Sequence, residues 1–585
     1  MRLYQRLSRS GTKSLLRGEE GYGLSLVLIW TLILMVQLSG LANYAANGSQ
    51  QVRLQKGRVQ AFYLAEAATQ SAGAQVRLFI QKNGRQPTDA ELTVIAAQKP
   101  FLGSQCEYDD MAVAYNGNVS GVEAIEFGDY AGLNATKRTI DITASVKPSA
   151  DMPAVTLTQN YEIQSIPVFQ FGVFYQGDLE ILPGADMTFA GPVHTNKDMY
   201  LGVGSGSTAT LEFDSSITSA GSLYHERKDG GAIGTGPVSI KDTDGDYQPM
   251  LKDGVWLDSH SASWTSGALE RWGGTVKTSD HGAASLSLPI SSSVQSHDII
   301  ERRSGADSTE LQSTKLDYKS QLRLVDGQAL NSAGQTVELR YCTKNGVLTG
   351  NVCSKGVVVN PVTTTTFYDA REQKTINSTD VDVSLLKSSP AFSTMVNSNN
   401  GVIVYFSDNR NPSATTENAL RLVNGSSLPT KGVTFAAGNP LYVKGDFNTT
   451  SKKPAGLVSD SVTILSGSWT DANSAKTIAN RTASSTSVNA AVMTGNVETA
   501  GNAYSGGFEN VHRFLENWSG RTLTYKGSVE VFYSSETATG AWGKSNVYSP
   551  PNRNWSFDDD FIDDDYTIPG FPSVYNVAKG VWARD

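Results

Sequence analysis

The rhythm of hydrophobic and polar positions changes three times along this chain. From Leu24 to Ala42 the side chains are apolar almost without interruption; Gln37 is the only strongly polar one and none carries charge. A helix rises about 1.5 Å per residue, so this run crosses most or all of a ~30 Å hydrocarbon core. From Gln50 to Lys82, apolar and small residues recur at spacings of three and four (Phe62, Ala65, Thr69, Ala72, Val76, Phe79), and no proline occurs before Pro87. That pattern predicts an amphipathic helix continuing the apolar one. Asn47-Gly48-Ser49, three poor helix formers, mark where a break would fall.

Pro87 to Gln98 reads as a short helix with Thr88 or Asp89 as its N-cap. Beyond Cys106 the period shortens to two. Thr139–Val146 and Val155–Ile163 alternate as half-buried strands do. After Pro167 the candidate strands become very short: Gly177–Ile181, Met187–Gly191, Lys197–Leu201 and Ala209–Phe213, with Gly, Pro and Asn between them. A recurrence of roughly ten to twelve residues predicts a sandwich, a barrel or a β-solenoid. The same style returns in Leu441–Phe447, Asp460–Leu465, Asn489–Gly495 and Gly527–Tyr533. Between about 220 and 400 the chain is polar and irregular, predicting long loops or an inserted subdomain with one helix over Ser291–Arg303.

The expected fold class is α+β: a long N-terminal, partly transmembrane helix, a small antiparallel sheet, then a large mainly-β body. The expected units are a basic leader (1–21), a transmembrane and stalk helix (22–82), an α+β head (83–166), a β-rich body with an irregular insertion (167–438) and a C-terminal β-rich unit (439–585).

Charge orients this plan. Arg2, Arg6, Arg9, Lys13 and Arg17 precede the apolar run, against Glu19 and Glu20. The positive-inside rule then places the N-terminus in the cytoplasm and the body outside. A cleaved secretory signal, cut before Asn47, is the competing reading. The 585 residues leave room for several domains, only 18% are charged, and the net charge of −9 argues against nucleic acid as a partner of the body.

RGEEGYGLSLVLIW, followed by AFYLAEAATQSA with its Ala65-Glu66-Ala67 step, resembles the N-terminal region of PilX-type minor pilins. The resemblance implies cleavage by a prepilin peptidase between Gly21 and Tyr22. It also implies a single-pass inner-membrane anchor, a body in the periplasm or on a cell-surface filament, and packing against other pilin-like subunits. Leu24, Leu26, Leu28, Ile29, Leu32, Ile33 and Val36 would make the membrane and filament contacts. Many pilins carry Glu five residues after the cut; here that position is Leu26. VFYQGDLEILPGADMTFAGPVHTNKDMYLG (173–202), NPLYVKGDFN (439–448), YSGGFENVHRFLENWSGRTLTYKGS (504–528) and VYSPPNRNWSFDDDF (547–561) resemble a family of large uncharacterised bacterial proteins that join such an N-terminus to this body. That second resemblance implies architecture and surface location, and no reaction.

Candidate chemistry is sparse. Cys342 and Cys353 flank TKNGVLTGNV, where Asn345-Gly346 is a hairpin turn signal that would bring the sulfurs together; Cys106 is left over. The six histidines form no zinc spacing. His194 reads as a loop histidine whose ring nitrogens bond backbone. ENVHRFLENW has helical spacing, with Phe508, Val511, Phe514, Leu515 and Trp518 on one side and Glu509, His512, Arg513 and Glu516 able to form a network. Asp242, Asp244 and Asp246 resemble half a calcium loop, lacking its closing Glu. Asp558 and Asp560 belong to a run of six carboxylates that calcium would also suit, or that simply stays solvated. Aromatic residues crowd the last part of the chain: Tyr504, Trp518, Tyr525, Tyr533, Trp542, Tyr548, Trp555 and Trp582. Exposed, they would form a platform for sugars or a partner protein; buried, they are core. There is no G-x-S-x-G, P-loop or dinucleotide fingerprint. These signals favour a non-enzymatic, cofactor-free accessory or tip subunit of a type IV pilus or related filament over a membrane-anchored protein that binds or cuts surface polysaccharide.

Overall fold

The first element is helix α1, which runs without a break from Tyr22 to Asn83. In this computed structural model, residues 22–101, 107–149, 152–501, 504–542, 546–563 and 565–584 are described. The leader, Gly21 and Cys106 lie outside the described residues. Asn47-Gly48-Ser49 do not interrupt α1, because the helical residues on both sides outweigh their low propensity.

The two halves of α1 differ. No residue before Gly57 is buried, whereas Gly57, Ala61, Ala65, Ala68, Ala72, Val76 and Ile80 form a buried stripe at spacings of three and four. The stripe is mostly Gly and Ala, so the helix lies close on the sheet beneath it. At Gly73 the approach is closest: a Cβ there would stand 2.2 Å from the Tyr161 ring. Helix α2 (Asp89–Ala97) starts at Thr88, whose side chain and Glu91 cap each other's backbone N–H groups.

The sheet under α1 is antiparallel, in the order Glu107–Asn116, Asn134–Lys147, Val155–Pro167 and Ser573–Arg584. The last of these is the C-terminal strand of the chain. The head therefore comprises both ends of the described sequence, and the segment 439–585 does not form one unit.

Between Pro167 and Ser573 the chain coils as a β-solenoid. Met187 pairs in parallel with Leu211, Val193 with Ile217 and Met199 with Leu223. Each turn lays short strands beside those of the turn before. Aspartates repeat at one corner: Asp178 accepts from the amide of Asp198 (3.1 Å), and Asp198 from that of Ser222 (2.7 Å).

The order of strands in the main parallel sheet is not the order of the sequence. Strands Val173–Tyr175, Val193–Thr195, Ile217–Ser219 and Val276–Lys277 run from the middle to one end. The chain then crosses to the far end, resumes at Leu322–Val325, and coils back through Val402–Ser407, Val433–Ala437, Ala455–Ser459 and Thr486–Asn496 to Thr522–Ser534. There Val529 pairs with Val173, joining the last coil to the first. The regions before and after residue 438 are thus one solenoid with one interior core, running from Val173 to Val531.

The connecting segment between the two ends covers the outer face of this sheet. Its Leu286, Leu288, Ile299, Ile300 and Leu316 are buried with Phe174, Tyr405, Met493 and Phe532. All six residues of Val402–Ser407 are consequently buried, and such strands read as unbroken apolar runs. The helix expected over Ser291–Arg303 is a single 3-10 turn, Ser296–Ile299. ENVHRFLENW is not a helix either. It is a 3-10 turn, Phe508–Asn510, followed by the short strand His512–Arg513. Its four apolar residues, Val511, Phe514, Leu515 and Trp518, and the preceding Phe508 are all buried, because a coil with a corner can also bury residues three and four apart.

Candidate functional site

Two regions offer function: the bare half of α1 and a cavity on the solenoid. In the first, Leu24, Leu26, Leu28, Ile29, Leu32, Ile33 and Val36 are between 40% and 69% exposed. α1 is long and apolar enough to cross a membrane. Two of its hydroxyls bond within the helix: Thr31 Oγ1 donates to the carbonyl of Val27 (2.9 Å) and Ser39 Oγ to that of Val36 (2.8 Å). This lowers the cost of placing them in an apolar environment.

The cavity, of about 490 Å³, lies where early and late coils meet. Leu182, Val203 and Arg227 come from the early coils; Tyr504, Glu509, Trp542, Tyr548 and Arg553 come from the late ones. Gly506 and Gly507 turn the backbone with φ of 94° and 73° and bring Glu509 under the rim. A Cβ at Gly506 would meet the Trp542 ring at 2.5 Å. Tyr504 and Trp542 pack edge to face, 5.2 Å between centroids. Trp542 Nε1 donates to Tyr548 Oη (3.1 Å), whose hydroxyl donates in turn to Asn510. Arg227 lies over the Tyr504 ring at 4.8 Å, paired with Asp229.

Glu509 is the one carboxylate among the described lining residues. Burial pushes its carboxyl up to about 7, against the pull of its own amide, Arg553 and the Leu182 N–H, with Glu180 adding to the rise. Glu180, outside the lining, is also raised by burial, although Thr499 and the Lys228 amide donate to it. A hydrolase acting on glycosidic bonds needs two carboxyls flanking the bond; the described lining offers one. An aromatic rim with a few fixed polar groups is the arrangement of a binding site.

The other sequence candidates are placed elsewhere. Cys342 and Cys353 are bonded, with Cα atoms 5.6 Å apart. The hairpin between them pairs Leu348 with Cys353, so its turn falls after Asn345-Gly346, which sit instead at a 3-10 turn. Asp242, Asp244 and Asp246 form a hairpin turn in which Asp242 Oδ1 accepts from the amides of Asp244 (2.9 Å) and Asp246 (3.0 Å), and its Oδ2 from Gln248 (2.8 Å). Asp558 is buried and pairs with Lys452, which also reaches Asp560 at 2.8 Å. This part of the acidic run is neutralised by lysine rather than left solvated; Asp564 lies outside the described residues.

His194 sits in a strand, fully buried, with Nδ1 2.7 Å from Thr218 Oγ1 and Nε2 2.9 Å from Asn196 Oδ1. Its partners are side chains, not the backbone of a turn, and burial pulls it down to about 4. Glu509, His512, Arg513 and Glu516 do not form one network: Arg513 pairs with Glu372, Glu516 accepts from Ser466, and His512 is walled in by Tyr525 and Trp555. Of the late aromatics, Tyr504, Trp542 and Tyr548 converge on the cavity. Trp518, Tyr525 and Tyr533 are core, and Trp582 lies in the head against Phe62. Arg227 and Arg553 carried no sequence signal, since the site is assembled by coils far apart in the chain.

No protein-family profile matches the chain, and no curated protein matches it in sequence. Among solved structures, the competence-associated pilin ComZ from Thermus thermophilus is matched over 90% of this chain and 97% of its own, at 12% identity and a TM-score of 0.24. At that score the similarity carries no argument for this chain, whose fold is established by its own strands and helices.

Proposed function

We propose that this chain is a pilin-like subunit, held by α1 in the bacterial inner membrane and then incorporated at an accessory or tip position of a type IV pilus or related filament. The observation that carries the reading is the division of α1. Its first half is apolar and bare, while its second half is stapled to a small antiparallel sheet by a Gly/Ala stripe. A helix built this way exchanges lipid for the apolar helices of neighbouring subunits without exposing its surface to water. The large solenoid supports the tip position, because its bulk would crowd a repeating array. A prepilin peptidase and other pilin-like subunits are the partners this reading requires.

The test is the N-terminal residue of the mature protein recovered from its own cell envelope. A start at Tyr22 supports the proposal. An intact Met1, or a start near Asn47, overturns it. Leu28→Cys cross-linking in isolated filaments then reads helix-to-helix contact directly.

The aromatic cavity favours a second reading, a membrane-anchored protein that binds surface polysaccharide. Glycan-array binding that Trp542→Ala abolishes, in a protein whose N-terminus is unprocessed, would favour it over the first.

A further inference from the structure

Four side chains meet where the connecting segment crosses the end of strand Thr522–Ser534. His297, in the turn Ser296–Ile299, is buried. Its Nε2 lies 3.2 Å from Asp460 Oδ1. Asp460 is itself fully buried and accepts from the amides of Glu536 (2.6 Å), Thr537 (3.2 Å) and Ala538 (2.8 Å) and from Thr537 Oγ1 (2.8 Å). So many donors fix the carboxylate, and the carboxylate fixes the imidazole. The other ring nitrogen, Nδ1, faces Glu301 Oε1 at 3.0 Å and Glu536 Oε2 at 3.7 Å. The Tyr533 ring packs edge-on against the imidazole, 5.1 Å between centroids.

We propose that His297, Glu301 and Glu536 form a site for a divalent transition metal ion of the zinc type, with Asp460 orienting the imidazole from behind. The three ligand atoms all lie within 4.8 Å of one another, and among the described residues no other group of three His, Cys, Asp or Glu does so. Ligands about 2.1 Å from a tetrahedral zinc ion stand roughly 3.4 Å apart. The two distances from Nδ1 straddle that edge length. A carboxylate on the far nitrogen is the usual second partner of a metal-bound histidine, setting its tautomer and basicity. A nitrogen donor beside two carboxylates suits zinc or iron better than calcium or magnesium, which take all-oxygen shells.

The site is also accessible. The Glu301 side chain is 43% exposed and that of Glu536 is 61% exposed, so an ion can enter and a water can complete the shell. On binding, the metal bonds to Nδ1 and to one oxygen of each glutamate, and any proton on Nδ1 leaves to solvent. The ion would clip the connecting segment, through His297 and Glu301, to the end of strand Thr522–Ser534, through Glu536. This role is independent of the pilin reading.

The test uses the full chain in detergent, stripped with EDTA and titrated with zinc chloride by calorimetry. The expected result is one ion per chain and a raised melting temperature, while calcium chloride gives no rise. In Glu301→Gln/Glu536→Gln the affinity should fall by more than about tenfold, since removing even a group that only supports a metal ligand costs that much. Both glutamates are open to solvent, so the metal-free melting temperature of that variant checks that its fold is intact. Glu536→Gln alone serves if the double variant does not fold. Zinc-edge absorption should show nitrogen and oxygen neighbours including one imidazole. Absence of stoichiometric binding, equal affinity in the variants, or a sulfur-containing shell would overturn the proposal.

Discussion

Pro167, the last residue of the third head strand, lies opposite Ser573, the first residue of the closing strand. The chain leaves the head and returns to it at the same edge of the same sheet. The solenoid is thus an insertion between two neighbouring strands, and Val529 beside Val173 repeats the device one level up. Each unit is closed by pairing its own last strand with one of its own early strands.

Removal of residues 573–585 should open the head without dissolving the solenoid. The deletion strips the partner from Val155–Pro167, the main-chain acceptor of Arg77 at Val577 (3.0 Å) and the Phe62–Trp582 ring contact. It also bares a long strand edge, which invites aggregation. Limited proteolysis read by mass spectrometry should show cleavage within the head and an intact body. The milder Val577→Asp, placing a charge at a core position 5% exposed, should cost about 3 kcal/mol or more in denaturant titrations.

Gly73→Ala sets helix propensity against packing. In an exposed helix this change stabilises by roughly 1 kcal/mol. Here the new methyl would stand 2.2 Å from the Tyr161 ring, and overpacking of this kind costs about 1–3 kcal/mol. We expect a net loss in melting temperature, recovered in Gly73→Ala/Tyr161→Leu. A gain in the single variant would show that α1 does not rest on the sheet this closely.

Local rules made much of the fold legible. The apolar run at Leu24–Ala42, the stripe of small residues through Ala65 and Ala72, and the Thr88 cap each act within a few residues, and each appears where its pattern placed it. The short strands after Pro167 were visible for the same reason. Their order was not, since the pairing of Val529 with Val173 leaves no mark at either residue. ENVHRFLENW misled because a solenoid corner mimics helical spacing, and Ser291–Arg303 because a connecting segment laid over the sheet also buries closely spaced apolar residues such as Ile299 and Ile300. The cavity was half legible: Tyr504, Trp542 and Tyr548 stood out by type, whereas Arg227 joins them only through the coil geometry.

Arg421 ties three strands and a loop on the outer face of the solenoid wall, opposite the interior core to which its neighbours Leu420 and Leu422 belong. It donates to Asp380 Oδ1 (2.9 Å), Thr365 Oγ1 (2.8 Å) and Asp471 Oδ1 (2.6 Å), and lies over the Phe367 ring at 5.1 Å. Arg421→Met leaves Asp380, 7% exposed, buried without its cation. The expected cost is about 3–5 kcal/mol in urea unfolding. Arg421→Met/Asp380→Leu removes both charges and should restore much of it. Equal losses in the two variants would mean that packing, not the stranded carboxylate, sets the cost.

Glu509 should make the protein less stable as pH rises, the reverse of what an ion-paired carboxylate does. Burial lifts its carboxyl from 4.5 to about 7. Between those values the folded chain keeps a proton that the unfolded chain releases, so stability falls with rising pH across that window and the contribution is lost above it. A rise of that size corresponds to roughly 3 kcal/mol at most. His194 and His512 act oppositely. Burial pulls them from 6.5 to about 4 and about 3, so they add stability as pH rises to 6.5. The wild-type profile is therefore a sum of opposed slopes, and the comparison with Glu509→Gln isolates one. At pH 8 the variant should be the more stable of the two, and near pH 4.5 the difference should vanish. A variant that is less stable at pH 8 would mean that the carboxylate is ionised and paired in the folded protein, and that the cavity presents a charge rather than a proton to what it binds.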